Sequence, residues 1–322
     1  MDPPLHLEAV AHRNTDGLIA VVSSCLTGRV WEGFIWAVES VEDFRSIANC
    51  GLAAARTIAG NSDVLWFNEN HLIVASDCGL LEIWEHTPPG HTLQQLFTLS
   101  SHDDMVMSLS QLGKSHRIAS GSADSRLIIW DISSHSVVHS YKGHGDCVWC
   151  VSGQPVNSDI IASCSQDATI KVWDLRQSSP ATKFKECSEV TRALCWRPTT
   201  ENILASADET GQVFVTDIRS PSTALLTYKE HTRVIHRMKF NNVNPNLLAT
   251  VSNDTRVVVY DVEKNSSQYC SSLHSDFTHG LSWHPSKEEL ITCGWDNNLL
   301  SHSISDTVTS SLEMSIENEV TN

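Results

Sequence analysis

Positive charge is scarce in this 322-residue chain, where 22 lysines and arginines face 38 aspartates and glutamates for a net charge of −16. A surface of that sign repels a phosphate backbone, which excludes an electrostatic nucleic-acid binder, and it attracts basic partners. Long apolar runs are missing too, and no segment reaches the roughly 20 residues of a membrane-spanning helix. The amino-terminal "MDPPLHLEAVAHRN" lacks a basic region followed by an apolar stretch, so no secretory leader is expected. The ten cysteines are accordingly expected to be reduced thiols in a cytoplasmic and nuclear protein.

Catalytic signatures are equally sparse. No G-x-S-x-G nucleophile elbow and no H-E-x-x-H occurs. "LGKS" (Leu112–Ser115) has the end of a phosphate loop, but the first glycine of that motif falls on Ser108. Cys147 and Cys150 form a C-x-x-C; on a strand, positions three apart face opposite sides and cannot share one metal, so small buried hydrophobes are expected there. The Asp103-Asp104 pair reads as solvated loop carboxylates. No enzymatic activity, cofactor or metal is expected.

What the chain does contain is a repeat. "IASGSADSRLIIWD" (118–131) and "IASCSQDATIKVWD" (161–174) share their start, one aspartate and their Trp-Asp end. Weaker copies end at Asp217, with Thr216 in the tryptophan position, and at Asp261, with Tyr260 there. Two more place Trp84 and His302 in register. The register positions 84, 130, 173, 216, 260 and 302 are spaced by 46, 43, 43, 44 and 42 residues, and a step of 48 back from Trp84 reaches Trp36. Seven units of about 43 residues, each read as four strands, give an all-β fold: a seven-bladed β-propeller whose blades bury their faces only against one another. The propeller is expected to occupy residues 1–310, and 311–322 reads as an acidic, polar, disordered tail. The strand that completes the last blade is expected from "DTVTSSL", residues 306–312.

The unit resembles the WD repeat, in which a histidine, a serine or threonine, an aspartate and the tryptophan form a buried hydrogen-bonded chain. His102, Ser120, Asp124 and Trp130 match that pattern, as do His144, Ser163, Asp167 and Trp173. His231, Thr250 and Asp254 keep three members ahead of Tyr260, and His274, Thr292 and Asp296 keep three ahead of His302. The fifth unit lacks the histidine and has Ser188 near its place.

Seven of the ten tryptophans occupy core positions, either the register slot or an aromatic slot 18–20 residues earlier; Trp31, Trp149 and Trp295 do not. Trp149 falls where other units have Arg192, His236 and His279, a polar slot expected near one mouth of the central channel. Trp31 and Trp295 are expected in turns between second and third strands, Trp31 standing where other units have Gly79, Ser125, Ala168 and Gly211. An exposed tryptophan beside an arginine is a pairing typical of interface hot spots.

The words "GRVWEG", "LIVASDCGLLEIWE", "HDDMV", "DFTHGLSWHP" and "TCGWDNNLLSH" resemble the methylosome protein 50 family, the WD-repeat partners of the type II protein arginine methyltransferase, over about residues 5–303. That resemblance implies a non-catalytic subunit that binds and stabilises the methyltransferase and presents Arg-rich substrates such as histone tails and Sm proteins. It also implies that Arg29 and Trp31 insert into the methyltransferase, with Trp295 extending the patch. The alternative is a substrate receptor of a cullin-type ubiquitin ligase, suggested by "WDLR" (Trp173–Arg176) and the degenerate "TDIR" (Thr216–Arg219).

Because blades stabilise one another only around a closed ring, a fragment ending at Tyr141 is expected to lack a cooperative unfolding transition by circular dichroism. Cooperative melting of that fragment would contradict a single seven-unit ring.

Overall fold

The computed structural model describes residues 6–27, 30–50, 55–88, 92–177 and 182–304. Its strands fall into seven sheets in chain order, six of four strands and a last one of three, Thr278–Trp283, Glu289–Gly294 and Leu299–Ser303. All neighbours within a sheet are antiparallel. The chain is a seven-bladed β-propeller. Residues 306–312, expected to complete blade 7, and the tail 311–322 lie outside the described residues.

Each blade is ordered by what its strands must bury. The second strands, such as His71–Ser76, Arg117–Ser122 and Ile160–Ser165, are buried at every position but the first. They lie inside the sheet and are covered on both faces, which explains near-continuous apolar and small residues in place of an alternating pattern. Outer strands such as Ser136–Tyr141 face water and are largely polar. Seven apolar clusters result, each joining two adjacent blades. The first-strand tryptophans also hand a hydrogen bond to the preceding blade: Trp66 Nε1 donates to the Ala11 carbonyl, Trp196 to Ser152 and Trp283 to Lys239, at 2.9–3.2 Å.

The ring closes between blades 7 and 1. Leu7, Val10 and Val21 pack with Ile291, Cys293 and Leu299, and the His12 amide donates to Ser282 Oγ at 3.1 Å. A helix, Val41–Cys50, is inserted between the third and fourth strands of blade 1 and buries Val41 and Phe44 in that same seam. Its start is written in the sequence as S-x-x-D: Ser40 Oγ accepts from the Asp43 amide at 3.1 Å and donates to the Asp43 carboxylate at 2.7 Å. The four-strand periodicity gave no place for this helix.

Buried side-chain relays tie the strands of a blade together. His102 Nδ1 meets Asp124 at 2.9 Å, its Nε2 meets Ser120 Oγ at 2.7 Å, and Trp130 Nε1 donates to Ser120 Oγ at 2.7 Å. His144, Asp167, Ser163 and Trp173 repeat this at 3.1, 2.7 and 2.7 Å. A neutral imidazole satisfies every donor: the indole gives to the hydroxyl, the hydroxyl to Nε2, and Nδ1–H to the carboxylate. Burial pushes both histidines down, consistent with that neutral form. In blade 7 His302 stands in for the tryptophan, so four members are present where three were expected. Its Nε2 meets Thr292 Oγ1 at 2.8 Å and its Nδ1 meets the Tyr269 hydroxyl at 2.9 Å.

Burial, reinforced by the charge of His274, holds the His302 pKa down to about 4. A histidine whose folded pKa lies below its unfolded value stabilises the fold above the unfolded value, near 6.5, and that contribution is lost as pH falls through the folded value. The melting temperature should therefore drop between pH 6.5 and about 4. His302→Gln, which keeps a donor for Thr292, should flatten part of that drop in differential scanning calorimetry. An unchanged profile would place His302 outside the titration.

Candidate functional site

Every first strand carries a β-bulge near its start. The unpaired residue is Glu8 in blade 1, followed around the ring by Ser62, Met107, Trp149, Arg192, His236 and His279. A bulge lets one residue leave the pleat and re-aims its side chain, and all seven of these side chains line one cavity of about 440 Å³ at the mouth of the central channel. The slot shared by Trp149, Arg192, His236 and His279 is thus a ring position, and Glu8, Ser62 and Met107 complete it.

The mouth is electrostatically divided. On the blade 1 side, Glu8 accepts from Ser24 Oγ at 2.8 Å and Trp295 Nε1 at 3.1 Å, and its other oxygen meets His279 Nδ1 at 2.8 Å. Burial raises its pKa, but the His279, Ser24 and Trp295 contacts outweigh that and leave it lowered. Trp295 is half-buried, stacked on His6 with centroids 4.5 Å apart, 4.8 Å from the His279 ring and 5.4 Å from Phe277. On the opposite side the Arg192 guanidinium lies 3.4 Å above the Trp149 ring, and Trp149 Nε1 donates to Gln166 at 2.9 Å. The His236 ring lies tilted against that of His279, centroids 3.9 Å apart, and is held well below the ordinary imidazole range by burial and by the charges of His279, Arg192 and Arg237. Deeper in, Arg237 pairs with Asp63 at 2.6 Å, and Lys239 and half-buried Cys150 line the lumen. Cys150 lies opposite Cys164 across two strands. Among the described residues no group of three or more His, Cys, Asp or Glu side chains could hold a metal ion.

Trp31 differs from expectation in its local setting. The second and third strands of blade 1, Ile19–Thr27 and Val30–Val38, are nine residues each, and Trp31 pairs with Leu26 within that ladder. It is a strand residue of an over-long hairpin, not a turn residue. Gly79, Ser125, Ala168 and Gly211, its counterparts by count, all sit at left-handed φ in tight turns. Its indole is 43% exposed and donates to Asp77 Oδ2 in blade 2 at 2.5 Å, and Gly60 leaves the room, since a Cβ there would run into both the indole and that carboxylate. Burial raises the Asp77 pKa, opposed by the Trp31 hydrogen bond and reinforced by Glu8. Trp295 does lie in its turn, and it lines the same cavity as Trp31. Arg29 falls outside the described residues. The arginines of "WDLR" and "TDIR" fold back onto the aspartates two residues before them, Arg176 on Asp174 at 2.7 Å and Arg219 on Asp217 at 2.6 Å.

The WD domain, G-beta repeat family matches residues 93–131 and 135–174. Methylosome protein WDR77 of Xenopus laevis is 33% identical over 301 residues, 92% of this chain and 89% of that protein. The chain belongs to the methylosome protein 50 family. Shorter matches to WD-repeat proteins reflect the repeat itself: one of Dictyostelium discoideum is 28% identical over 72 residues (22% of this chain, 4% of that one), and an uncharacterized one of Schizosaccharomyces pombe is 38% identical over 82 residues (24% and 22%). In this member of the methylosome protein 50 family the mouth side chains are held by one another, with Glu8 as the hub. Glu8→Ala leaves Trp295 Nε1 and His279 Nδ1 without their acceptor and should destabilise the fold by about 1–3 kcal/mol in urea unfolding; an unchanged midpoint would mean that water takes over the role of the carboxylate.

Proposed function

We infer that this chain is the non-catalytic WD-repeat subunit of an arginine methyltransferase complex, gripping the type II methyltransferase through the face that carries Trp31. The observation that supports it most is the large, part-exposed indole of Trp31, fixed in direction by Asp77. A tryptophan already oriented loses little side-chain freedom when a partner covers it, which is the property of an interface anchor. Second-to-third hairpins and outer-to-inner connections lie at the same end of every blade, so exposed Ile58 and Leu273 share the face of Trp31. Trp295 extends this patch, and Arg29, two residues before Trp31 in the sequence, supplies its polar rim. Among the described residues the Asp77 carboxylate accepts one hydrogen bond, from Trp31, and it offers its charge to a basic group on the partner.

The net charge of −16 suits the basic, Arg-rich substrates that such a complex handles, histone tails and spliceosomal Sm proteins among them. Residues 1–310 act as the binding unit, and the complex works in cytoplasm and nucleus. The propeller adds a docking surface and leaves methyl transfer to its partner.

Truncating an interface tryptophan commonly costs at least about 2 kcal/mol, or some thirtyfold in affinity. Trp31→Ala should weaken binding to the methyltransferase by that factor in titration calorimetry, while the melting temperature of the free chain stays within about 2 °C. Full binding by the variant, or a large loss of its own stability, would put the interface elsewhere.

A further inference from the structure

The far side of the channel mouth has chemistry of the opposite sign. Of the arginines described, Arg13, Arg56, Arg117, Arg126, Arg176, Arg219 and Arg237 each sit against a carboxylate. Arg192, like Arg197, Arg233 and Arg256, has no such ion pair among the described residues, and of these four it alone lines the mouth cavity, with Glu209 near enough for its charge to act on the guanidinium. It is partly withdrawn from water, and that burial pulls its pKa down. A guanidinium without an ion pair in such a place is unfavourable unless something anionic joins it.

Its geometry defines what that something is. The guanidinium carbon lies 3.4 Å from the centre of the indole ring, so the ring occupies one side of the group and its N–H groups are left for partners elsewhere. The platform beneath is itself fixed, through Trp149 Nε1 and Gln166. The adjacent ring residue, His236, has a buried Nε2 with no hydrogen-bond partner among the described residues. Below them Arg237 and Lys239 line the lumen from blade 6, and among the described residues the one ion pair there is Arg237 with Asp63. A locally positive strip thus runs into the channel of an otherwise acidic protein.

We propose that the Arg192 side of the channel mouth is a carboxylate-binding subsite, which takes an acidic side chain or a carboxyl terminus from a protein partner between Arg192 and His236. The planar, two-oxygen carboxylate matches the in-plane N–H fork in a bidentate pair. The cavity of about 440 Å³ admits a side chain with its backbone staying at the rim. The opposite carboxylates, Glu8 and Asp77, orient the entering segment so that its acidic group faces blades 5 and 6. The subsite stands whatever the identity of the partner.

The test uses the full chain and follows the Trp149 indole N–H by nuclear magnetic resonance, assigned through Trp149→Phe. Acetate is the probe and acetamide its uncharged control. Saturable shifts below about 100 mM acetate, absent with acetamide, are expected, with at least a tenfold weaker response in Arg192→Gln and an unchanged one in Trp31→Ala. Arg192→Lys, which keeps the charge and loses the fork, should fall between and covers the case of a poorly folded Arg192→Gln. Two capped peptides separate the sources: one with an internal glutamate and an amidated end, one with no acidic side chain and a free carboxyl terminus. Binding of either locates the source. Equal response to acetate and acetamide, no saturable shift with any probe, or full binding by both Arg192 variants would overturn the subsite.

Discussion

Ring closure is the constraint on which everything else in this molecule rests. A four-stranded blade has two apolar faces and no means of covering them, so each of the seven clusters exists only because a neighbour supplies its other half. The seam between blades 7 and 1 is where the chain's beginning must find its end, and it is reinforced beyond the other junctions. His12 takes the position held by a tryptophan in blades 2, 5 and 7, its amide reaches Ser282, and the inserted helix wedges Phe44 against Leu299 and its neighbours. The helix packs beside the third strand of blade 7, Leu299–Ser303.

Closure also creates the site. Seven inner strands arranged around an axis bring their starts together, and a bulge at the same place in each strand turns seven sequence-distant side chains into one ring. The bulge breaks the pairing locally and frees the residue from sheet packing, which is why that slot tolerates a carboxylate, a thioether, an indole, a guanidinium and two imidazoles in turn. The repeat conserves the core slots around it, because each of those must fit between two blades. Diversity is therefore concentrated at the mouth.

The relays and the mouth share one physical device, buried imidazole in a defined hydrogen-bonding role, but use it differently. In the relays of blades 3 and 4 the histidine is enclosed between hydroxyl and carboxylate, and burial pushes its pKa down. At the mouth His279 leans on Glu8, while His236, near Asn253, keeps a buried Nε2 with no well-formed hydrogen bond among the described residues. The first arrangement stiffens a blade; the second leaves polar capacity directed into a cavity. The over-long hairpin of blade 1 adds a part-exposed indole at the same face, so aromatic and charged chemistry meet on one side of the disc.

The amino-acid sequence by itself determined the fold, because the tryptophan register recurs every 42–48 residues and a sheet that repeats must stack on itself. It also determined the relay residues in blades 3 and 4, whose histidine, hydroxyl, aspartate and tryptophan fall at fixed offsets, and it singled out Trp31, Trp149 and Trp295 as tryptophans the core does not need. The tertiary structure alone decided where those three meet. Counting back from the register put Trp31 in a turn, because the second-to-third ladder of blade 1 has nine pairs where the other blades have five, and the spacing of register positions does not reveal that lengthening. Glu8, Ser62 and Met107 carry no mark in the sequence because their strands vary too much to share a pattern, although Trp66 stands four residues after Ser62 just as Trp196 follows Arg192. The helix at Val41 was signalled by Ser40 and Asp43 and overridden by the expectation of strands. Trp31 meets Asp77 only when two consecutive blades pack, and Glu8 meets His279 across 271 residues only when the ring closes, and a linear pattern has no term for either.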